Sequence, residues 1–236
     1  MMLHSNESHF SSSDYLMKIY SRLHERYGAQ YWWPAEGPFE VVIGAILTQG
    51  TSWHGANKAL LNLKSKGVLN PVALNGIDMM ELASLIRPSV YYRAKADKIS
   101  SFLQYLWENY DGNLQRMLDR QIHDLREELL SIYGIGEETA DDIILYAAGK
   151  PIFVVDTYTK RILARVGVGP CSGTYKHLQQ WLMENLPRDV DLFNDYHALL
   201  DQHGSTTCLK NAPDCAGCCL RDICDVGSHY ERHMRA

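Results

Sequence analysis

Residues Leu129 to Ala140 read LLSIYGIGEETA, an apolar helical pattern that two glycines break and that then resumes. The resumed pattern has the i, i+3, i+4, i+7 spacing of one helix face, through Ala140, Ile143, Ile144 and Ala147. Gly134 and Gly136 allow a tight reversal, and exposed N–H groups at the start of the second helix suit a phosphate oxygen. The segment predicts two helices joined by a Gly-x-Gly turn. Taken alone, it also fits an ordinary helical hairpin.

Helical periodicity extends from this turn in both directions. A first helix, with a cap at Ser13 or Asp14 and a stop at Gly28, is indicated by apolar residues at helical spacing: Leu16, Ile19, Tyr20, Leu23 and Tyr27. The segment Phe39–Leu47 is apolar on every side, which favours a central buried helix. Further helical patterns occupy about 53–66, 79–86, 92–110, 122–148, 157–167 and 190–203, and only Phe153–Val155 reads as extended. We predict an all-α fold.

The bulk composition is that of an ordinary globular chain. Of the 236 residues, 46% are hydrophobic and 22% are charged, which excludes a disordered protein. No apolar run approaches the ~18 residues that a membrane span requires, and the first residues do not resemble a secretion signal. We therefore expect a cytoplasmic protein without a membrane partner.

The net charge of −5 argues against a broadly basic nucleic-acid-binding surface. Affinity for DNA comes largely from lysine and arginine side chains that neutralise phosphates, so a DNA-binding face would have to be local. Basic residues gather at Arg93–Lys98 and at Lys160–Arg165. Solvated helix faces have the same appearance, and charge alone favours that simpler interpretation.

The cysteines are concentrated near the C-terminal end. Cys171 stands alone, and the other five are Cys208, Cys215, Cys218, Cys219 and Cys224. Four of these follow a C-x6-C-x2-C-x5-C spacing, which in a reducing compartment indicates a metal site rather than disulfides. Thiolate softness leaves a [4Fe–4S] cluster and a zinc ion both open, although zinc sites usually show two separated CxxC pairs. Cys219 directly follows Cys218 and is the spare thiol.

An acidic residue, Asp156, stands where an apolar run gives way to a predicted helix. Its simplest role is a helix N-cap, which is a common position for aspartate. A helix N-terminus also keeps a carboxylate ionised. The capping role is therefore compatible with a catalytic one.

The hairpin, the Asp about twenty residues later and the cysteine spacing together resemble the endonuclease III (helix-hairpin-helix, HhH-GPD) superfamily of DNA glycosylases. The resemblance runs from about Tyr27 to Cys224 and is greatest to the branch that includes 3-methyladenine DNA glycosylases. Gly44–Gln49 and Tyr91–Ala96 also resemble segments of the family. The resemblance implies a [4Fe–4S] cluster, rather than zinc, on Cys208, Cys215, Cys218 and Cys224.

The resemblance also implies two helical lobes with an active cleft between them. A barrel lobe that includes the hairpin is expected at 36–150. The second lobe is expected to combine 12–35 with 151–236 and to carry the cluster loop at 208–224. We expect a DNA-associated monomer of bacterial origin that acts on double-stranded DNA containing a damaged base.

Several site residues follow from the same resemblance. Asp156 is the expected catalytic carboxylate, which stabilises positive charge at C1′ or activates water. Gln49 is expected to fill the space that a flipped base leaves. The remaining expected DNA contacts are Gly134, Gly136, Thr139 and Lys160, with a monovalent cation at the hairpin. The expected base pocket is formed or bordered by Trp32, Trp33 and Trp53.

Glu138 stands where lyase members of the superfamily carry a lysine that forms a Schiff base. Because a carboxylate cannot form an imine, a monofunctional glycosylase is expected, in which Glu138 polarises a pocket group or water. Indole rings favour a flat cation, which predicts an alkylated purine such as 3-methyladenine. Two alternatives remain open: a pyrimidine-lesion or mismatch-directed glycosylase, with or without AP lyase activity, and a non-catalytic iron–sulfur DNA-binding protein.

Overall fold

The computed structural model describes residues 11–170 and 173–234, so Cys171 lies outside the described residues. Within these ranges the secondary structure is helical and includes no strand, which confirms the all-α class. Phe153–Val155 is irregular chain rather than part of a sheet. None of the described helices has the length and apolar character needed to cross a membrane.

The helices follow one another closely along the chain. In order they are α1 (Ser12–Tyr27), α2 (Pro38–Thr48), α3 (Trp53–Ser65), α4 (Pro71–Asn75), α5 (Met79–Leu85), α6 (Tyr92–Tyr110), α7 (Leu114–Leu118), α8 (Ile122–Ser131), α9 (Glu137–Asp142), α10 (Thr157–Val166), α11 (Tyr175–Asn185), α12 (Val190–Thr206) and α13 (Asp225–Met234). Two short 3-10 turns lie at Arg87–Ser89 and Arg221–Ile223, and a π-helical turn, Ile143–Ala147, continues α9.

The chain divides into two compact units. The central unit is Trp33–Val154 and contains α2 to α9, whereas the terminal unit combines the described residues up to Trp32 with those from Val155 onward. The lobe boundaries expected from the sequence, at 35/36 and 150/151, stay predictions.

The terminal unit is built on α1 and α12. Ser11, rather than Ser13 or Asp14, caps α1: its side chain accepts from the Asp14 N–H, and the Asp14 carboxylate accepts from Ser11 in return. The apolar face of α1 is fully buried through Leu16, Ile19 and Leu23. The Tyr196 hydroxyl donates to the Leu16 carbonyl at 2.9 Å, which ties α12 to α1 inside this core.

The central unit is built around α2, which is buried on every side as its composition predicts. Val42, Ile43, Ile46 and Leu47 are all fully buried. The one carboxylate of the helix, Glu40, is also buried and pairs with Lys64 at 2.8 Å. This ion pair compensates a charge that would otherwise be costly to bury.

Lys95, one of the locally clustered basic residues, is buried in the central unit and therefore contributes no charge to a surface. Its ammonium donates to the Leu47 carbonyl at 2.7 Å and to the Ser89 carbonyl at 2.5 Å. Burial, with a smaller contribution from the charge of Lys98, lowers the pKa of Lys95 to about 8. The residue thus joins the end of α2 to the segment that precedes α6.

Four helices and the π-helical turn differ from the sequence expectation. Helices α4, α7, α11 and α13 were not predicted, although the first three begin at the capping side chains Asn70, Asn113 and Thr174. The π-helical turn interrupts the helical pattern predicted across 122–148. Such turns are rare and often accompany functional sites.

Candidate active site

The hairpin turn between α8 and α9 is held by a close approach of the chain to itself. Gly134 has φ +86°, and a Cβ at this position would overlap Lys98 Cγ and lie 2.6 Å from Lys98 Cδ. Any larger residue would therefore be strained in its backbone conformation and would displace the Lys98 side chain. A Cβ added at Gly136, the N-cap of α9, would meet no atom within 4 Å, so the turn is open on that side.

Gln49 is hydrogen-bonded to this hairpin rather than projecting from the end of α2. Its amide nitrogen donates to the Gly134 carbonyl at 3.0 Å and to the Thr139 hydroxyl at 2.9 Å. Its amide oxygen accepts from Lys98 Nζ at 2.5 Å. That Gln49 fills the space of a flipped base stays a prediction, to which the structure adds a contact between this side chain and the hairpin. Thr139 is buried, and its hydroxyl connects the Gln49 side chain to the first turn of α9.

The tryptophans expected at the base pocket are distributed between the two units. Within the central unit, Trp33 packs edge-on against Trp53 with ring centroids 5.6 Å apart, and Tyr146 joins them at 5.5 Å from Trp33. A Cβ at position 44 would lie 3.1 Å from the Trp33 ring, so Gly44 makes room for this indole. Tyr146 belongs to the π-helical turn and has no sequence signal of its own. We call Trp33, Trp53 and Tyr146 the aromatic cluster.

Trp32 belongs to the terminal unit. There it lines an open pocket together with Tyr31 and the acidic residues Asp189 and Asp195. Its surroundings are thus acidic and different from those of the aromatic cluster.

Two carboxylates begin α9, and both are exposed to some degree. Glu137 Oε1 lies 3.5 Å from the Arg126 guanidinium. The same guanidinium forms a bidentate ion pair with the buried Asp141. Glu138 is solvent-exposed on the first helical turn. Negative charge at this end complements the helix dipole, and Glu138 keeps the exposure that a reacting group requires.

Asp156 is the N-cap of α10 and is buried. Its Oδ1 accepts from the Thr159 N–H at 2.6 Å. Within the part of the chain that the structure describes, no hydrogen bond occupies Oδ2. The capping bond therefore orients the carboxylate and leaves one oxygen available for chemistry.

Other ionisable groups of α10 and α12 surround Asp156. Partial desolvation, and secondly the negative charge of Asp156, raise the pKa of Asp201 to about 6, although Asp201 keeps some contact with solvent. Burial raises the pKa of Tyr158, with the charges of Asp201 and Asp156 adding to it. Burial lowers the pKa of His197, and the charge of Asp156 opposes that effect. Asp156 thus lies close enough to Asp201 and His197 to interact with both electrostatically, a proximity that the sequence does not indicate.

Lys160 lies one turn into α10 and borders an open groove. Its ammonium lies 5.4 Å from the centre of the Tyr175 ring. The basic residues that line this groove are Lys160, Arg161 and Lys210. Two of them lie on α10, so positive charge borders the groove on the helix that Asp156 caps.

A strained, exposed segment precedes α6. Val90 and Tyr91 have φ values of +58° and +46°, which are unfavourable for both residue types and most of all for a β-branched one. Tyr91 is 70% exposed, and its ring would lie 3.9 Å from a Cβ at Gly50. An aromatic side chain held outward by a strained backbone marks a functional candidate. Sequence patterns do not indicate it, because neither residue favours positive φ.

The four cysteines of the spaced motif line one cavity. Cys208, Cys215, Cys218 and Cys224 all line one pocket in the terminal unit, and Cys219 is not among the lining residues. Four thiols of one loop that line the same pocket are the ligand set that a [4Fe–4S] cluster uses, so the residues present fit that group.

Arginines of α10 hold the first cysteine of this set. Arg165 donates to Cys208 Sγ at 3.2 Å and to the Leu209 carbonyl at 2.7 Å. Arg161 donates to the Cys208 carbonyl at 3.0 Å. Burial raises the pKa of Cys218 to about 11, so this thiol keeps its proton until a metal displaces it.

Sequence comparison finds similar proteins over most of the chain. A family described as HhH-GPD superfamily base excision DNA repair protein matches residues 43–188. A Methanocaldococcus jannaschii protein, provisionally named as a DNA repair glycosylase, is 43% identical over 211 residues, which are 89% of this chain and 95% of that protein. Endonuclease III of Thermotoga maritima is 30% identical over 188 residues, which are 80% of this chain and 83% of that one.

Structure comparison finds the same fold in solved glycosylases. A trapped endonuclease III–DNA covalent intermediate superposes with a TM-score of 0.81 at 24% identity, over 94% of this chain and 100% of that one. The 3-methyladenine DNA glycosylase of H. pylori bound to 1,N6-ethenoadenine gives a TM-score of 0.72 at 27% identity, over 85% of this chain and 100% of that one.

Proposed function

Because the chain belongs to the HhH-GPD superfamily of base excision DNA repair proteins and is a DNA glycosylase of that family, we propose that it hydrolyses the N-glycosidic bond of a damaged base and leaves the DNA strand intact. The observation that carries this proposal is Glu138, which is exposed two residues after Gly136. Lyase members of the superfamily carry an amine at this position. A carboxylate cannot form the imine through which such enzymes cleave the strand.

Asp156 supplies the negative charge for base release. Its capped Oδ1 fixes the orientation of the group, and its available Oδ2 can stabilise the cationic sugar at C1′ or accept a proton from the attacking water. The negative charge of the Asp201 carboxylate adds to the attraction for a developing cation. A protein that only bound DNA would have no need of an acid that faces phosphates, because like charges repel.

The aromatic cluster of the central unit receives the extruded base. Three aromatic side chains offer ring faces and edges on which a flat base can stack, and a cationic base gains ~0.5–2 kcal/mol from such rings. An alkylated purine such as 3-methyladenine is therefore the preferred substrate. The fold similarity to a 3-methyladenine DNA glycosylase supports this preference.

The protein binds DNA through its main-chain N–H groups and through side chains. The turn at Gly134 and Gly136 offers N–H groups to a phosphate, with a monovalent cation as an additional ligand of the hairpin. Lys160 neutralises a second phosphate from its groove. Gln49 fills the space that the extruded base leaves, and the exposed ring of Tyr91, which lies next to Gly50, assists it.

Cys208, Cys215, Cys218 and Cys224 would hold a [4Fe–4S] cluster, which supplies four iron–thiolate bonds that close the C-terminal loop. Arg161 and Arg165 hold the Cys208 segment of this loop against α10. These residues order the loop and take no part in bond cleavage.

The reaction type is tested with duplexes that carry one defined lesion. The protein is expected to release the free base and leave an abasic strand that breaks only after alkali, because Glu138 offers no nucleophilic amine. Strand length on denaturing gels, with and without alkali, measures this. Borohydride should trap no covalent complex, with an endonuclease III as the positive control. Efficient trapping would contradict the monofunctional proposal.

The substrate is tested separately with methylated DNA and with duplexes carrying oxidised or deaminated pyrimidines. We expect faster release of methylated purines, and about a tenfold loss of that activity in Trp33→Ala because one stacking surface is removed. Trp33→Phe keeps an aromatic face and should retain most of the activity. If the protein releases only pyrimidine lesions, the alkylated-purine substrate is wrong and the second candidate function, a pyrimidine-lesion glycosylase, replaces it. The similarity to endonuclease III supports this second candidate.

A further inference from the structure

The stem of Lys98 lies directly on the hairpin turn. Its Cγ and Cδ occupy the space that a Cβ of Gly134 would need. Lys98 projects from α6, a helix far from the hairpin in sequence, and the side chain is half-buried. The methylene groups are therefore fixed against the turn, and little side-chain entropy remains to be lost when the ammonium binds a ligand.

The ammonium of Lys98 is oriented by one hydrogen bond. It donates to Gln49 Oε1 at 2.5 Å, while the Gln49 amide nitrogen donates to Gly134 O. An ammonium group has three N–H donors, and Gln49 accepts one of them. No carboxylate in the described ranges lies within ion-pairing distance of Lys98, whereas Arg126, another cation of the central unit, is paired with Asp141 and Glu137. Lys98 thus carries an unneutralised charge at the turn.

We propose that Lys98 binds a DNA backbone phosphate at the hairpin, together with the N–H groups of the turn. This inference rests on the proposed function, which requires that the protein bind DNA. Glu137 and Glu138 stand just after the turn, in a chain of net charge −5, and repel a phosphate. A fixed cation at the same place offsets that repulsion and adds one phosphate contact. Gln49 serves as the positioning residue for Lys98.

The test measures how DNA affinity depends on salt. Fluorescence anisotropy follows binding of a labelled duplex with one tetrahydrofuran abasic analogue, over a series of KCl concentrations. Lys98→Met keeps the stem over Gly134 and removes the charge. We expect the slope of log affinity against log salt to fall by about 0.9, and affinity near ~0.1 M salt to fall about five- to tenfold. Lys98→Arg should keep the slope of the unaltered protein.

Lys58, an exposed lysine of α3 in the same unit, provides the matched control, and Lys58→Met should leave the slope unchanged. Thermal unfolding is measured in parallel. If Lys98→Met lowers affinity or Tm without changing the slope, Lys98 only braces the hairpin and the proposal is overturned. Because the duplex contains no cleavable base, this result is independent of which lesion is the substrate. Absence of binding by the unaltered protein would overturn both this proposal and the proposed function.

Discussion

Replacing Asp156 by asparagine is expected to lower the rate of base release by ~10²-fold or more while DNA binding survives. The substitution removes the charge and keeps the shape. Asparagine is as good an N-cap as aspartate, so its side-chain oxygen can still accept from the Thr159 N–H and α10 should remain intact. Single-turnover release from a lesion duplex measures the rate, and anisotropy measures the binding.

A matched control exists at the start of α12 in the same unit. Asp189 is also an N-cap, and its Oδ1 accepts from the Leu192 N–H at 2.7 Å. Asp189→Asn makes the same chemical change outside the proposed site and should leave the rate unchanged. Near-normal base release by Asp156→Asn would show that Asp156 is only a cap. In that case the catalytic carboxylate must be sought elsewhere.

Replacing Cys215 by serine is expected to abolish cluster binding. Anaerobically purified protein should be brown, absorb broadly near ~400 nm and contain four irons per chain. The Cys215→Ser protein should lose the colour and the iron, and it should unfold at a lower temperature because the iron–thiolate bonds that close the loop stabilise the folded state. Iron analysis, absorbance and thermal unfolding measure the three effects.

Cys219 is the matched control for this prediction. It neighbours Cys218 in the same loop but does not line the cavity that the four spaced cysteines surround. Its carbonyl accepts from Arg22 at 3.2 Å, a bond that Cys219→Ser preserves. This variant should keep colour and iron. Zinc in place of iron in the unaltered protein, or iron loss in both variants, would contradict the assigned ligands.

The predictions that the sequence supports best rest on local patterns of residues. The helical class, the Gly-x-Gly turn and the capping position of Asp156 all depend on residues within a few positions of one another, and the structure shows each of them. The cysteine motif is local as well: its four members lie in one loop and line one cavity. Such features follow from backbone geometry and side-chain chemistry that neighbours in the chain determine.

The site also depends on contacts between residues that are far apart in the sequence, and local patterns do not predict such contacts. Gln49 donates to the Gly134 carbonyl across 85 positions of the chain, a contact that no local pattern indicates. Trp33 meets Tyr146 only because α2 packs beside the π-helical turn. The strained backbone of Tyr91 conflicts with the preference of its residue type.

Spacing and residue chemistry along the chain were sufficient to predict the helical class, the turn, the acid and the thiols, because each is set by a short segment. Tertiary packing alone decided that Lys95 is buried and that Lys98 lies on the hairpin with its charge unneutralised, although both belong to one basic run. Two lysines three positions apart on a helix have the same local preferences. Their different environments arise from the helices and loops packed around α6, whose positions depend on the burial of apolar surface throughout the unit.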